Sequence, residues 1–323
     1  MLKNKTALAL NIALISIALS ACTPKQSEQA LDAEQSSSAA LAEAQLTLQG
    51  QTEKLVLNLP ECEGKNCPEF SVERLQSNQF VLDGLIDQAI LSNLEQMLSP
   101  VQHEELAGKT EKTEKTAASE VIADRASKTP AQLLAEQVQP YLAHFLEVDK
   151  ELKDLGASHK ISLSISPRIL NSEPPLATVV INSSSYLGGA HGASAQQYYN
   201  FDLTKQKHIR LKDILQPNQQ EQLNKLAYAA FKTWVIESKL ANNMAEYEQV
   251  WKFKLSDNFY LGKQGLILQY GEYEIGPFAV GLPRLVIPYD QLQQIIKPEY
   301  LPAAQPPEPV SNALAVTSKK QAS

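Results

Sequence analysis

In Lys160-Ile-Ser-Leu-Ser-Ile165 every second side chain is apolar, a period that only an extended strand can place on one face. Similar short runs follow at 178–182, 197–203 and 208–211, and again near 258–261, 266–270 and 285–288. Earlier in the chain the period is that of a helix. Ile86, Ile90, Leu94 and Leu98 repeat every four residues. Thr129-Pro130 supplies an N-cap and a first-turn proline for a long helix to Leu155, stopped by Gly156. Pro140 is expected to kink or divide that helix. Further helices are expected at about 219–240, with Leu223, Leu226, Ala230, Phe231 and Trp234 inward, and at 291–296. The fold class is α+β, with antiparallel sheets packed against helices.

The 323 residues are 43% hydrophobic and 20% charged, the composition of a folding chain rather than a disordered one. A formal net charge of −7 gives no global attraction for phosphate backbones, which disfavours general nucleic-acid binding. After residue 21 no apolar run approaches the ~20 residues of a spanning helix.

The first residues carry Lys3 and Lys5, then an apolar stretch from Ala7 to Leu19, then Leu19-Ser-Ala-Cys22. This resembles the signal segment and lipobox of bacterial lipoproteins. The resemblance implies cleavage before Cys22 and acylation of its sulfur. Thr23 stands where Asp would favour inner-membrane retention, so an outer-membrane lipoprotein facing the periplasm is expected. Cys62 and Cys67 then lie in an oxidising compartment and read as a disulfide closing a small loop, with Gly64 easing the turn. A redox pair would want two intervening residues, and a zinc site further ligands nearby. Strands at 54–59 and 70–75 flank the loop.

The expected organisation is a signal peptide at 1–21, a flexible tether at 22–48 and an N-terminal α+β region at 49–157 containing a mobile charged loop at 103–128. A second α+β domain at 158–300 and a disordered tail at 301–323 complete it.

Three stretches read as neither plain core nor plain loop. They are Ser183-Ser-Ser-Tyr-Leu-Gly-Gly-Ala-His-Gly192, Tyr199-Asn-Phe-Asp-Leu-Thr204 with Leu211-Lys-Asp-Ile-Leu215, and Gln269-Tyr-Gly-Glu-Tyr-Glu-Ile-Gly-Pro-Phe-Ala-Val-Gly281 with Leu-Val-Ile-Pro-Tyr289 behind it. In this order and spacing they resemble the RsiV-like domain of unknown function of bacterial cell-envelope proteins, over about 158–300. Phe278 stands where that family usually has Tyr. The resemblance implies a cell-wall binding or sensing module. Its relatives include a lysozyme-binding anti-sigma-factor ectodomain and the non-catalytic portion of peptidoglycan deacetylases.

No P-loop, G-x-G-x-x-G or G-x-S-x-G motif is present, and the five histidines show no zinc-peptidase pairing. No cofactor or metal is expected. An enzyme would have to use His191 with Asp202, Glu272 or Glu274, making the alternative function an envelope hydrolase. The preferred reading is a lipid-anchored, non-catalytic module for lysozyme, another wall-associated protein or peptidoglycan. Its binding residues are expected to be Tyr186, Gly188, Gly189, His191, Tyr270, Tyr273, Glu274, Pro277 and Phe278. The bend at 186–191 and the loop at 270–281 are expected to share one end of the sheet.

Overall fold

Leu176-Ala-Thr-Val-Val-Ile181 is buried without a break, a pattern that requires a strand covered on both faces. The computed structural model, which describes residues 47–98 and 127–302, shows what covers it. The strands β1 (Gly50–Lys54), β2 (Glu69–Ser77), β3 (Ser162–Asn171), β4 (Leu176–Tyr186), β5 (Ala193–Asp202) and β6 (Lys207–Ile209) form one sheet in that order. The strands β7 (Phe259–Leu261), β8 (Gly265–Gln269) and β9 (Arg284–Pro288) form a smaller antiparallel sheet.

Two long helices cover one face of the large sheet: α1 (Phe80–Leu98) and α2 (Pro130–Asp154). Val179 and Ile181 of β4 and Leu163 and Ile165 of β3 pack there with Ile86, Ile90, Leu142 and Phe145. The rings of Phe70 and Phe145 lie 5.2 Å apart. After a short turn, α3 (Leu211–Ile214), comes α4 (Gln220–Glu237), which packs on β9. Its Leu223 and Phe231 join Leu266, Leu268, Leu285 and Ile287 in a second core, to which β4 lends Leu176.

The long helix starts and stops by local rules. Thr129 Oγ1 accepts from the Gln132 N–H and the Gln132 side chain accepts from the Thr129 N–H, a reciprocal capping box behind Pro130. At the other end Gly156 takes φ +82°, while its N–H and that of Ala157 return to the Lys153 and Leu152 carbonyls.

Several expectations need correction. Of the two alternatives for Pro140, a kink or a division, the division does not occur, because α2 runs through it. The sheets are antiparallel-rich and packed against helices as expected, with β2 and β3 as the one parallel pair among the described strands. The stretch between them, which contains both long helices, is the crossover that a parallel pair requires. The large sheet therefore crosses the expected boundary at 157/158. The first strand lies at Gly50–Lys54 rather than 54–59. Beyond Leu55, whose N–H reaches the Val72 carbonyl, the chain leaves the ladder and Val56 is 89% exposed. Leu48, assigned to the tether, is buried in the first core. The helix expected at 291–296 is instead a 3-10 turn, Tyr289–Gln291, followed by turns and a bridge from Ile296 to Leu215. A helix missing from the expectations, α5 (Met244–Val250), is capped by Asn243, whose side chain bonds the Ala245 N–H and Glu246.

Cys62 and Cys67 form a disulfide in the exposed connection between β1 and β2, which pair as the expected hairpin. Among the described residues no helix is long and apolar enough to cross a membrane. The signal peptide, Cys22, the tether up to residue 46, the charged loop up to residue 126 and the tail from 303 lie outside the described residues.

The two sheets are joined by amides. Asn200 of β5, 1% exposed, accepts from Thr178 Oγ1 at 2.9 Å and donates to the Phe259 carbonyl of β7 at 2.7 Å. Asn258 accepts from the Tyr198 N–H at 2.8 Å and donates to the Gln196 carbonyl at 2.7 Å. Its side chain thus pairs with β5 as a neighbouring strand would. Asn200→Ala should lower stability by about 1–3 kcal/mol, since it strands a buried hydroxyl and a buried carbonyl. Urea unfolding with an unchanged m-value is the measurement, and a midpoint equal to wild type would contradict the role.

Candidate functional site

The bend at 187–192 between β4 and β5 rests on the end of α2. Gly188 has φ +86°, and a Cβ there would sit 3.0 Å from Leu152 Cδ1, so only glycine suits both the conformation and the approach. The loop between β8 and β9 opens with a turn closed by Glu274, whose carboxylate accepts the Gly271 N–H at 2.8 Å. That turn holds Tyr273 at φ +61°, a left-handed conformation that costs a non-glycine residue about 1–2 kcal/mol.

These two segments meet. Glu272 accepts the Ser194 N–H at 3.0 Å. His191 Nδ1 lies 2.9 Å from the Gly192 carbonyl and Nε2 lies 3.1 Å from the Tyr273 hydroxyl. A carbonyl only accepts, so in the neutral ring Nδ1 carries the proton and Nε2 takes the Tyr273 hydroxyl hydrogen. The His191 ring stacks on Phe278 with centroids 3.8 Å apart. Tyr273 lies 5.7 Å from Phe278 and 6.5 Å from Trp251, in stacked orientation to both. The result is a ledge of four rings. Tyr273, at 51% exposed, forms its outer part.

An apolar cavity of about 290 Å³, lined by Leu240, Tyr247, Val250, Trp251 and Pro277 among others, adjoins the ledge. Pro277 leads into the 3-10 turn Phe278–Val280 that carries Phe278. Trp251 and its cavity were not foreseen in the sequence. The signal available was Asn243 followed three residues later by Glu246, a capping pattern that announces α5.

Other expected residues fall elsewhere. Tyr270 is core, not surface: it is 1% exposed, burial drives its phenol above the ordinary range, and its hydroxyl donates to the Lys254 carbonyl. Tyr186 is half-buried and meets His159 edge-on, 6.4 Å away. Gly189 is exposed in the bend. The carboxylates proposed for His191 have other work. Asp202 is buried and accepts from the Thr204 and Lys205 N–H groups, the Lys205 ammonium and the Tyr300 hydroxyl. Burial alone would raise its pKa, but these bonds hold it below the usual value. Glu272 and Glu274 are engaged by backbone N–H groups.

A wider cavity of about 540 Å³, which Glu274 also lines, opens against β5, β6 and residues 254–259. Tyr199 and His208 line it with their rings 5.8 Å apart, and burial pushes the Tyr199 phenol up to about 12. Arg210, Lys212 and Lys254 stand around it, with Asp257 and Glu274 as the acids.

Compared with known proteins, residues 212–290 match the model of a family described as a protein of unknown function, DUF3298. That match begins after the Gly-Gly-Ala-His and Asn-Phe-Asp-Leu stretches. Peptidoglycan-N-acetylmuramic acid deacetylase PdaC of Bacillus subtilis is 23% identical over 180 residues, which is 53% of this chain. The chain spans 38% of the length of that relative. A DUF3298 family protein from Pseudomonas aeruginosa PAO1 has a similar structure, with a TM-score of 0.53 at 23% identity over 79% of this chain and 96% of that one. One from Bacteroides fragilis NCTC 9343 also gives 0.53, at 18% identity over 78% and 94%. These likenesses establish a shared fold.

The second cavity generates a pH prediction. Burial, followed by the charge of Arg210, lowers the His208 pKa below its usual 6.5. The unfolded chain therefore takes up a proton there before the folded one does, and stability declines as pH falls below about 6.5. The depressed Asp202, Asp213 and Glu73 stabilise the fold at neutral pH and lose that contribution only at lower pH, as the carboxylates themselves protonate. His208→Gln should flatten the stability profile between about pH 6.5 and 5. An unchanged slope in chemical unfolding across that window would refute it.

Proposed function

We propose that this chain is a non-catalytic binding module of the bacterial cell envelope, anchored by lipid on Cys22, which holds a cell-wall component on the ledge formed by His191, Tyr273, Phe278 and Trp251. The observation that carries this reading is Tyr273. A tyrosine kept in a left-handed conformation and half exposed costs stability that glycine or asparagine would not, and such strain is concentrated at functional sites. Flat, rotor-poor rings beside an apolar hollow suit the apolar faces of sugar rings or the side chains of a protein partner.

Two occupants fit, and each has support. PdaC, by its name, acts on peptidoglycan N-acetylmuramic acid, which favours the wall glycan. The net charge of −7 favours a cationic wall-associated protein such as lysozyme through electrostatic steering. The hydrolase reading has less behind it, because the ring nitrogens of His191 are engaged by a carbonyl and a phenol rather than oriented by a carboxylate.

Capture by purified sacculi and by immobilised lysozyme tests the proposal and separates the two occupants. Tyr273→Gly and Phe278→Ala should each weaken capture by about tenfold, the loss expected of an aromatic anchor. Tyr273→Gly should do so with little change in thermal unfolding, because it relieves the left-handed strain. Binding equal to wild type in both variants would dismiss the ledge, and soluble muropeptides released from sacculi by the wild type would overturn the non-catalytic reading. Cys22→Ala should abolish palmitate labelling and membrane association, and retention of either would refute the anchor.

A further inference from the structure

The cavity between β5, β6 and residues 254–259 has features the ledge lacks. It is roomy, at about 540 Å³, and more polar than the hollow beside Trp251. Arg210, Lys212 and Lys254 line it. Among the described residues neither lysine ammonium has a carboxylate within ion-pair distance. Arg210 meets Asp213 only at 3.8 Å through Nε, while that carboxylate oxygen is engaged by the Arg210 N–H. Glu274 on the rim is committed to the Gly271 N–H. Three cations thus line one concavity together with two carboxylates, Asp257 and Glu274, in a chain whose net charge is −7.

The cavity wall supplies the second half of the argument. Tyr199 of β5 and His208 of β6 form a tilted aromatic pair on that wall. The Tyr199 hydroxyl is already donated to Gln197 Oε1 at 2.8 Å, which leaves its oxygen available as an acceptor for a ligand hydroxyl. Cations for an anionic group, and a ring edge with an oxygen acceptor for hydroxyls, are the complementary surfaces of a small polyol that carries a negative charge.

We propose that this cavity is a binding site for an acidic sugar, a monosaccharide bearing a carboxylate or a phosphate, with the anion held by Lys212, Lys254 and Arg210 and the sugar ring against Tyr199 and His208. The proposal does not rest on the ledge. The two sites use different side chains.

Titration calorimetry on the intact chain, with N-acetylmuramic acid, glucose 6-phosphate, N-acetylglucosamine and inorganic phosphate as probes, tests it. At least one of the two acidic sugars should bind, with affinity falling as salt rises. Which of them binds distinguishes carboxylate from phosphate as the anion. The neutral sugar should not bind measurably, and phosphate alone should bind more weakly than the sugar that carries the anion. Lys212→Ala and Lys254→Ala, both at exposed positions, should each weaken binding by about tenfold, the scale of one charge-assisted hydrogen bond. Tyr273→Gly should leave it unchanged. Equal binding of the neutral sugar, no binding of either acidic sugar, or indifference to both lysine substitutions would overturn the proposal. Tighter binding of uridine monophosphate than of either sugar would overturn the assignment of ligand class.

Discussion

Two carboxamides hold this molecule's halves in register. A strand buried on both faces, as β4 is, must sit between two layers of protein, and the polar groups trapped there must find partners. Asn200 satisfies Thr178 on one side and the Phe259 carbonyl on the other. Asn258 satisfies the part of the β5 edge that β6 is too short to reach. An unmet buried amide or carbonyl costs about 1–3 kcal/mol, comparable to a sizeable fraction of a domain's net stability. These bonds fix β7 against β5, and β7 leads through β8 into the loop that carries Tyr273 and Phe278. The ring ledge is therefore a remote consequence of how two sheets satisfy their seam.

Much of this architecture was legible because it follows local rules. Period-two alternation identified β3, the period-four stripe identified α1, and Thr129-Pro130 with Gly156 bracketed α2. The meeting of the bend at 186–191 with the loop at 270–281 was also anticipated, from the shared pattern of glycine, aromatic and titratable residues. The rest depends on tertiary context. Nothing in Tyr270 distinguishes it from Tyr273 by type or spacing, yet the first ends β8 inside the core while the second sits at the tip of a turn. Val56 lies in an apolar run that reads as strand, Leu55-Val56-Leu57, but is released to solvent because the ladder ends at Leu55. Asn258 has no local signature at all, since its role is defined by a strand 60 residues away.

The ledge and the wider cavity illustrate different kinds of recognition surface. On the ledge the ring contacts dominate, and the one hydrogen bond between side chains, from Tyr273 to His191, serves to position the rings. In the cavity the side chains that matter are long and charged, and the two lysines carry no ion pair among the described residues, so they reorganise around what enters. Geometry is prepaid in the first case and supplied by the ligand in the second.

The parallel pairing of β2 with β3 has a consequence for how the chain can be made. Ser166 hydrogen-bonds Glu73, 93 positions away, whereas β3 to β6 join through short hairpin connections. Contacts that close so long a stretch form late. During synthesis β2 leaves the ribosome well before its partner and waits with its Phe70 and Val72 side of the ladder unfilled. A strand edge left open in that way invites pairing with other chains. The first 156 residues on their own would keep it open permanently, so the visible break in sequence pattern near Gly156 is not a place where this protein can be cut into two soluble parts.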